Sequence, residues 1–134
     1  MARRVFCDTG VLIRYFADDD PPQALAAARL IDGDDTLVIS TGVLIEVAHV
    51  LRTQHARTNP EIAHALVELL TKRGIELADA DRPQAVAALR WSARVSARRI
   101  PDALIAAAAE RAGCDMIATF DEGFTPSSVP VRML

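Results

Sequence analysis

Short apolar runs that alternate with segments of helical periodicity constrain the fold of this chain more than any other sequence feature. The strand-like runs are 5–7, 37–39, 75–78 and 116–118, with a possible fifth strand over 129–133. Short apolar strands separated by helices are typical of parallel sheets, whose strands are joined by right-handed helical crossovers. The pattern therefore predicts an α/β fold with three layers, α/β/α, around a central parallel sheet of four to five short strands.

Six helices are predicted between these strands from apolar spacing and from capping signals. The first two helices cover about 11–16 and 22–31. Ser40 or Thr41 caps the third helix, and Asn59 caps the fourth before Pro60. Asp81 caps a fifth helix that runs to about 97, and Pro101 opens the sixth. The apolar face of the third helix consists of Val43, Leu44, Val47, Val50 and Leu51, and Glu46 falls just outside it. The sixth helix is apolar nearly all round, which predicts burial on all sides.

The composition excludes several classes of protein. The chain has 134 residues, of which 51% are hydrophobic and 25% charged, as expected for one folded domain over 1–134 rather than a disordered segment. Its longest apolar run, 103–109, has seven residues, whereas a membrane helix needs about 20. The apolar stretch behind Arg3 and Arg4 breaks at Asp8, so no secretory signal is predicted. We therefore expect a cytoplasmic protein without a membrane segment.

The cysteines and the net charge are less informative. Cys7 and Cys114 lie in no metal-binding spacing, and we expect both to be small buried apolar residues. The formal net charge of −3 argues at first sight against a nucleic-acid partner.

Four acidic residues fall at positions that share one edge of the predicted sheet. Asp8 ends the first strand, Glu46 lies early in the helix after the second strand, Asp102 begins the sixth helix, and Asp121 follows the fourth strand. Ligands bind in such folds beyond the carboxyl ends of the strands. Four carboxylates there repel one another unless a divalent cation neutralises them, and a set of oxygen ligands favours Mg²⁺ or Mn²⁺.

Each acid alone also has an ordinary structural explanation. Asp8 can cap the turn at Thr9-Gly10, Asp102 can offset a helix dipole, Glu46 can be a surface residue, and Asp121 can start a loop. Their joint location favours the metal site. The histidines have no comparable placement, and we expect surface or structural roles for His49, His55 and His64.

The residues around the four acids form motifs in a defined order. These are Asp8-Thr9-Gly10-Val11-Leu12-Ile13, Glu46 behind Ser40, Asp102-Ala103-Leu104-Ile105-Ala106-Ala107, and Thr119-Phe120-Asp121-Glu122-Gly123-Phe124. The ordered set resembles the motifs of PIN-domain ribonucleases over essentially the whole chain, and a free-standing domain of this length most resembles the VapC toxins of toxin–antitoxin pairs. Gly10 departs from the pattern, since such proteins more often carry Asn or Ser there.

The resemblance implies a metal-dependent endoribonuclease that cuts RNA. Asp8, Glu46, Asp102 and Asp121 would be the catalytic residues and the ligands of one or two Mg²⁺ or Mn²⁺ ions. Thr119 and Thr9 are candidates for orienting a carboxylate or a water. VapC-like proteins are usually homodimers, and a VapB-like antitoxin commonly covers their active site.

A stripe of arginines is the candidate RNA contact. Arg90, Arg94 and Arg98 recur at helical spacing, Arg99 is next to them, and the stripe ends beside Asp102. Arginines so placed can hold RNA phosphates, and a solvated helix face is the alternative.

Two other functions stay open at this point. One is a non-catalytic PIN-like module that binds RNA or a protein, and the other is a metal-dependent nuclease acting on DNA. A phosphoaspartate hydrolase is disfavoured because it needs a second Asp where Gly10 stands. A response-regulator receiver needs a lysine near its acidic pocket, and Lys72 is predicted at the far end of a helix.

Overall fold

Strands and helices alternate along the chain as the sequence predicts. The computed structural model describes residues 2–17, 19–95, 99–124 and 128–134. Within them the strands are β1 Arg4–Phe6, β2 Thr36–Ile39, β3 Ile75–Leu77, β4 Ile117–Thr119 and β5 Val131–Met133. The helices are α1 Thr9–Ala17, α2 Pro21–Ile31, α3 Thr41–Gln54, α4 Asn59–Thr71, α5 Arg82–Arg94 and α6 Ile100–Arg111. None of these helices of the described residues could cross a membrane, because none combines sufficient length with sufficient apolar character.

All strand pairs are parallel, which confirms the predicted fold class. The strands form a three-stranded sheet in the order β1-β2-β3 and a separate pair, β4-β5, instead of one continuous sheet. Val5 lies opposite Leu37, and Leu37 lies opposite Ile75 in the next strand. The described residues show no hydrogen-bonded ladder between β1 and β4. Strands of three or four residues form few ladder hydrogen bonds, so pairing between neighbours is easily interrupted.

The helices cover the three-stranded sheet with a continuous apolar core. Its completely buried side chains include Leu12, Leu37, Leu44, Leu66 and Leu89. A smaller cluster beside β4 consists of Ala106, Ile117, Phe124 and Val129. Helix α6 contributes to both, since Ile100 and Leu104 lie in the larger core. The two sheets are thus joined through the helix that carries Asp102.

The helix starts follow side-chain capping. Ser40 Oγ accepts a hydrogen bond from the Val43 amide, and Asp81 accepts one from the Gln84 amide. The predicted cap at Asn59 is wrong, because the cap of α4 is Thr58, which forms a reciprocal capping box with Glu61. Asn59 is the first helical residue, and its side-chain amide donates to the Ser92 carbonyl over 2.9 Å. Helix α5 ends at Arg94, earlier than the predicted 97, and 96–98 lie outside the described residues.

Two predictions of burial are wrong at the C-terminal end of the chain. Helix α6 is not buried on all sides, since Ile105 is 45% exposed. Much of its apolar character comes from alanines, which expose little area and so do not need to be covered on every side. Cys7 is buried, but Cys114 is exposed because it lies in the turn that leaves α6 behind Gly113.

Candidate active site

Asp8 and Glu46 line the same cavity. Asp8 lies between β1 and α1, and Glu46 lies in the second turn of α3. The cavity has a volume of about 510 Å³, and both acids are exposed to solvent. Asp8 Oδ1 accepts a hydrogen bond of 2.8 Å from the Thr9 amide, which fixes this carboxylate at the start of α1. The helix N-terminus stabilises negative charge there.

A buried hydroxyl faces no partner in this part of the structure. Thr9 also lines the cavity of Asp8 and Glu46 and is 7% exposed. Its Oγ1 atom has no hydrogen-bond partner among the described residues. A buried polar group without a partner costs free energy, so it indicates a position where a bound ligand or water completes the hydrogen bonding.

Asp102 and Asp121 share one cation, the guanidinium of Arg99. Arg99 Nη2 lies 2.7 Å from Asp121 Oδ2 and 3.4 Å from Asp102 Oδ2. Asp102 is buried in the first turn of α6, whereas Asp121 is exposed in the loop after β4. The loop is fixed by two further bonds: the Asp121 amide donates to Thr119 Oγ1 over 3.0 Å, and Asp121 Oδ1 accepts from the Gly123 amide over 2.8 Å. Thr119 therefore orients the Asp121 backbone.

The four acids form two pairs. No group of three or more His, Cys, Asp or Glu side chains in the described part of the chain is close enough to hold a metal ion. The donor set nevertheless suits a hard divalent cation, because it is made of carboxylate oxygens, and beside one pair lies the buried Thr9 hydroxyl, which has no partner in the part of the chain that the structure describes. The other pair is already close enough to share one positive group. The assignment of these acids as metal ligands stays a prediction.

Several cavity residues were missed by the sequence reasoning. Arg14, Asp19 and His55 line the cavity with Asp8 and Glu46, and Arg14 forms an ion pair of 2.9 Å with Asp19. Val50 and Gln54 of α3 line it as well. The sequence does contain a signal for Val50 and Gln54, since positions 46, 50 and 54 are four residues apart and share one face of α3. His55 follows directly, as the residue that ends α3.

The arginine stripe divides into two groups. Arg90 and Arg94 are exposed on α5, whereas Arg98 lies outside the described residues. Arg99 is not part of α5: it precedes α6 at the N-cap position, and its side chain contacts carboxylates. The RNA contacts predicted for these arginines stay predictions.

Comparison with known proteins agrees with the motif pattern. A profile of the PIN domain family matches residues 5–126. A search of curated proteins found no significant match. Among solved structures, the crystal structure of VapC20 of Mycobacterium tuberculosis, a sarcin-ricin loop cleaving toxin, matches with 19% sequence identity and a TM-score of 0.45 over 90% of this chain and 92% of that chain. All four motif acids fall within the residues that the family profile matches, and that match spans most of the sequence, so the chain belongs to the PIN domain family.

Proposed function

We propose that this PIN domain is a metal-dependent endoribonuclease that hydrolyses phosphodiester bonds in RNA. The observation that carries the proposal is the cavity lined by the carboxylates of Asp8 and Glu46 and by the buried hydroxyl of Thr9, which has no hydrogen-bond partner among the described residues. Oxygen ligands of this kind bind Mg²⁺ or Mn²⁺. Asp102 and Asp121 supply the remaining acidic ligands from α6 and the loop after β4.

Each side chain of the site has its own proposed role. A bound divalent ion supplies a water of lowered pKa and a positive charge next to the phosphate. Asp8 is oriented by the start of α1, and Asp121 by the Gly123 amide, so both carboxylates are held before substrate arrives. The Thr9 hydroxyl can donate to a carboxylate oxygen or to a bound water. No covalent nucleophile and no histidine base is required.

Exposed arginines provide the proposed path for the RNA backbone. Arg90 and Arg94 lie on the surface of α5, and Arg94 precedes Arg99 by five residues. Guanidinium groups bind phosphate through paired hydrogen bonds. We place the RNA on this face because its charges are opposite in sign to those of the phosphates.

The decisive experiment is cleavage of total RNA by the purified chain with Mg²⁺ or Mn²⁺. Asp8→Asn and Glu46→Gln keep the size of each side chain but remove its charge, and we expect each to reduce cleavage by about two orders of magnitude or more, the loss typical for a group that stabilises a transition state. Glu68→Gln is the matched control, since Glu68 is an exposed residue on α4 and lines no part of the cavity.

The same experiment separates the other functions. Cleavage that survives chelation and Asp8→Asn contradicts the proposal. RNA that is bound but never cut, with either metal, identifies a non-catalytic binding module. Preferential cutting of DNA under the same conditions identifies a DNA nuclease.

We further propose that the chain is the toxin of a VapBC-type pair and acts as a homodimer in the cytoplasm. The support is the resemblance of its ordered motifs to those of VapC toxins. A VapB-like antitoxin would then cover the site of Asp8 and Glu46. Induced expression should arrest growth in the wild type but not in Asp8→Asn, and co-expression of a small protein from the adjacent gene should restore growth. Arrest by both forms would contradict the toxin assignment.

A further inference from the structure

We infer that Arg99 is the internal counter-cation of this site, which holds Asp102 and Asp121 together and leaves them when a divalent ion binds. The inference rests on the proposed function, because it assigns a role to a residue beside the proposed metal ligands. It gives Arg99 a role as a positioning residue, distinct from the RNA contact that its place in the arginine stripe predicts.

The Arg99 side chain contacts one oxygen of each carboxylate. Its Nη2 atom lies 2.7 Å from Asp121 Oδ2 and 3.4 Å from Asp102 Oδ2, so one guanidinium nitrogen serves both carboxylates. The other oxygen of Asp121 already accepts a hydrogen bond from the Gly123 amide. The two oxygens of Asp121 thus have different partners, and a metal ion that binds Oδ2 would compete with Arg99.

The backbone and the side chain of Arg99 differ in freedom. Its carbonyl accepts a hydrogen bond of 3.0 Å from the Ala103 amide, which ties the backbone to the first turn of α6. The side chain is 52% exposed, so it can turn into solvent without disturbing the apolar core. Arg99 can thus release the carboxylates while it stays attached beside Asp102.

Arg99 and a bound divalent ion would compete for the carboxylates of Asp102 and Asp121. Two carboxylates that share a cation repel each other when the cation is removed, so Arg99 stabilises the metal-free site. A divalent ion that binds the same oxygens has to displace the positive charge, and its affinity is reduced by the free energy of the ion pair.

The test is Mn²⁺ binding to the whole chain without RNA, measured by calorimetry or by the electron paramagnetic resonance signal of free Mn²⁺. We expect Arg99→Gln to bind Mn²⁺ about two- to fivefold more tightly than the wild type, the factor that corresponds to a partly exposed ion pair. Arg132→Gln is the control for overall charge. Arg132 is exposed on β5, and its replacement removes one positive charge away from Asp102 and Asp121. It should change the affinity less.

Thermal unfolding gives a second readout. Without metal, Arg99→Gln should melt below the wild type, and saturating Mn²⁺ should raise its melting temperature by more than it raises that of the wild type. Arg99→Lys keeps the charge, so its affinity should stay closer to the wild type. If Arg99→Gln does not fold, Arg99→Met, which removes the charge but keeps a long side chain, takes its place in the binding test.

The outcomes separate the two proposals. If the wild type binds Mn²⁺ and Arg99→Gln binds it equally or more weakly, the counter-cation role is overturned and the proposed nuclease stands. If neither protein binds Mn²⁺, the metal-dependent function fails and the role of Arg99 fails with it.

Discussion

At the scale of single residues, Thr9 connects stability to the proposed chemistry. Its hydroxyl is buried beside Asp8 and has no hydrogen-bond partner among the described residues. Such an atom lowers the stability of the fold, and proteins keep costs of this kind mainly where a ligand or a reaction uses the group. We therefore expect the Thr9 hydroxyl to contribute to the proposed reaction although it lowers the stability of the fold.

Thr9→Val tests this relation. Valine has nearly the same shape without the polar atom, so we expect the free energy of unfolding to rise by about 1 kcal/mol. RNA cleavage should fall in the same variant, because the hydroxyl beside Asp8 is lost. Urea denaturation and a cleavage assay measure the two effects.

Thr53→Val is the matched control for this prediction. The Thr53 hydroxyl donates to the His49 carbonyl over 2.8 Å, so its removal should not stabilise the protein. A Thr9→Val protein that is less stable than the wild type would show that the hydroxyl has a structural partner after all.

At the scale of elements, the capping box of α4 makes part of the stability depend on pH. The Glu61 carboxylate accepts a hydrogen bond of 2.9 Å from the Thr58 amide, and the Glu61 amide donates to Thr58 Oγ1 over 3.3 Å. The hydrogen bond from the Thr58 amide, then that with the Thr58 side chain, hold the pKa of Glu61 below its ordinary value. A lowered pKa in the folded state means that this stabilisation is present at neutral pH and is lost as the pH falls through the folded pKa.

Glu61→Gln should therefore destabilise the protein near neutral pH, and this effect should shrink as the pH falls through the lowered pKa of Glu61 in the folded state. Chemical denaturation at a series of pH values measures the difference. Glu68→Gln removes the same charge from the same helix without touching the cap, and it should show no such trend. A constant difference between wild type and Glu61→Gln would contradict the prediction.

The elements were largely predictable because their signals are local. Apolar periodicity and turn residues located every strand and helix of the described chain to within a few residues. Asn59-Pro60 imitated a cap although Thr58 performs that role, because both residue types can cap and only the reciprocal bond with Glu61 distinguishes them. The division of the sheet was not predictable, since pairing of β4 with β1 depends on residues distant in sequence.

The candidate site was predictable only in part for the same reason. Asp8, Asp102 and Asp121 lie beside the ends or starts of elements, and Glu46 lies in the second turn of α3. The ion pair of Arg99 with Asp121 spans 22 residues and has no periodic signal. The sequence pattern places Arg99 beside the stripe because it predicts that α5 runs to about 97, whereas that helix ends at Arg94 and a new helix begins at Ile100.

At the scale of the whole molecule, the four acids of the proposed site determine the sign of the net charge. Without Asp8, Glu46, Asp102 and Asp121, the formal net charge changes from −3 to +1. Binding of divalent ions neutralises the same charges. RNA affinity should therefore depend on metal and on local arginines, rather than on a strongly basic surface.

Replacement of Arg90 and Arg94 by Ala tests the arginine contribution. We expect weaker RNA binding and a salt dependence whose slope is flatter by about 1.4, because each contact to a single-stranded phosphate contributes about 0.7. Arg29 and Arg73, in segments that lead into β2 and β3, are the control pair with the same loss of charge. An unchanged slope after replacement of Arg90 and Arg94 would exclude phosphate contacts at these positions.

The connection of both apolar clusters through α6 affects how the molecule opens. The cluster around β4 is small, so local unfolding of β4 and β5 costs less free energy than unfolding of the larger core. Asp121 belongs to the smaller part, whereas Asp8 and Glu46 belong to the larger one. A ligand that binds acids of both parts crosslinks them, and it slows hydrogen exchange in β4 and β5 by an amount that grows with its concentration. In the proposed nuclease, the divalent ion concentration of the cell would then determine how often β4 and β5 unfold locally, as well as the rate of the reaction.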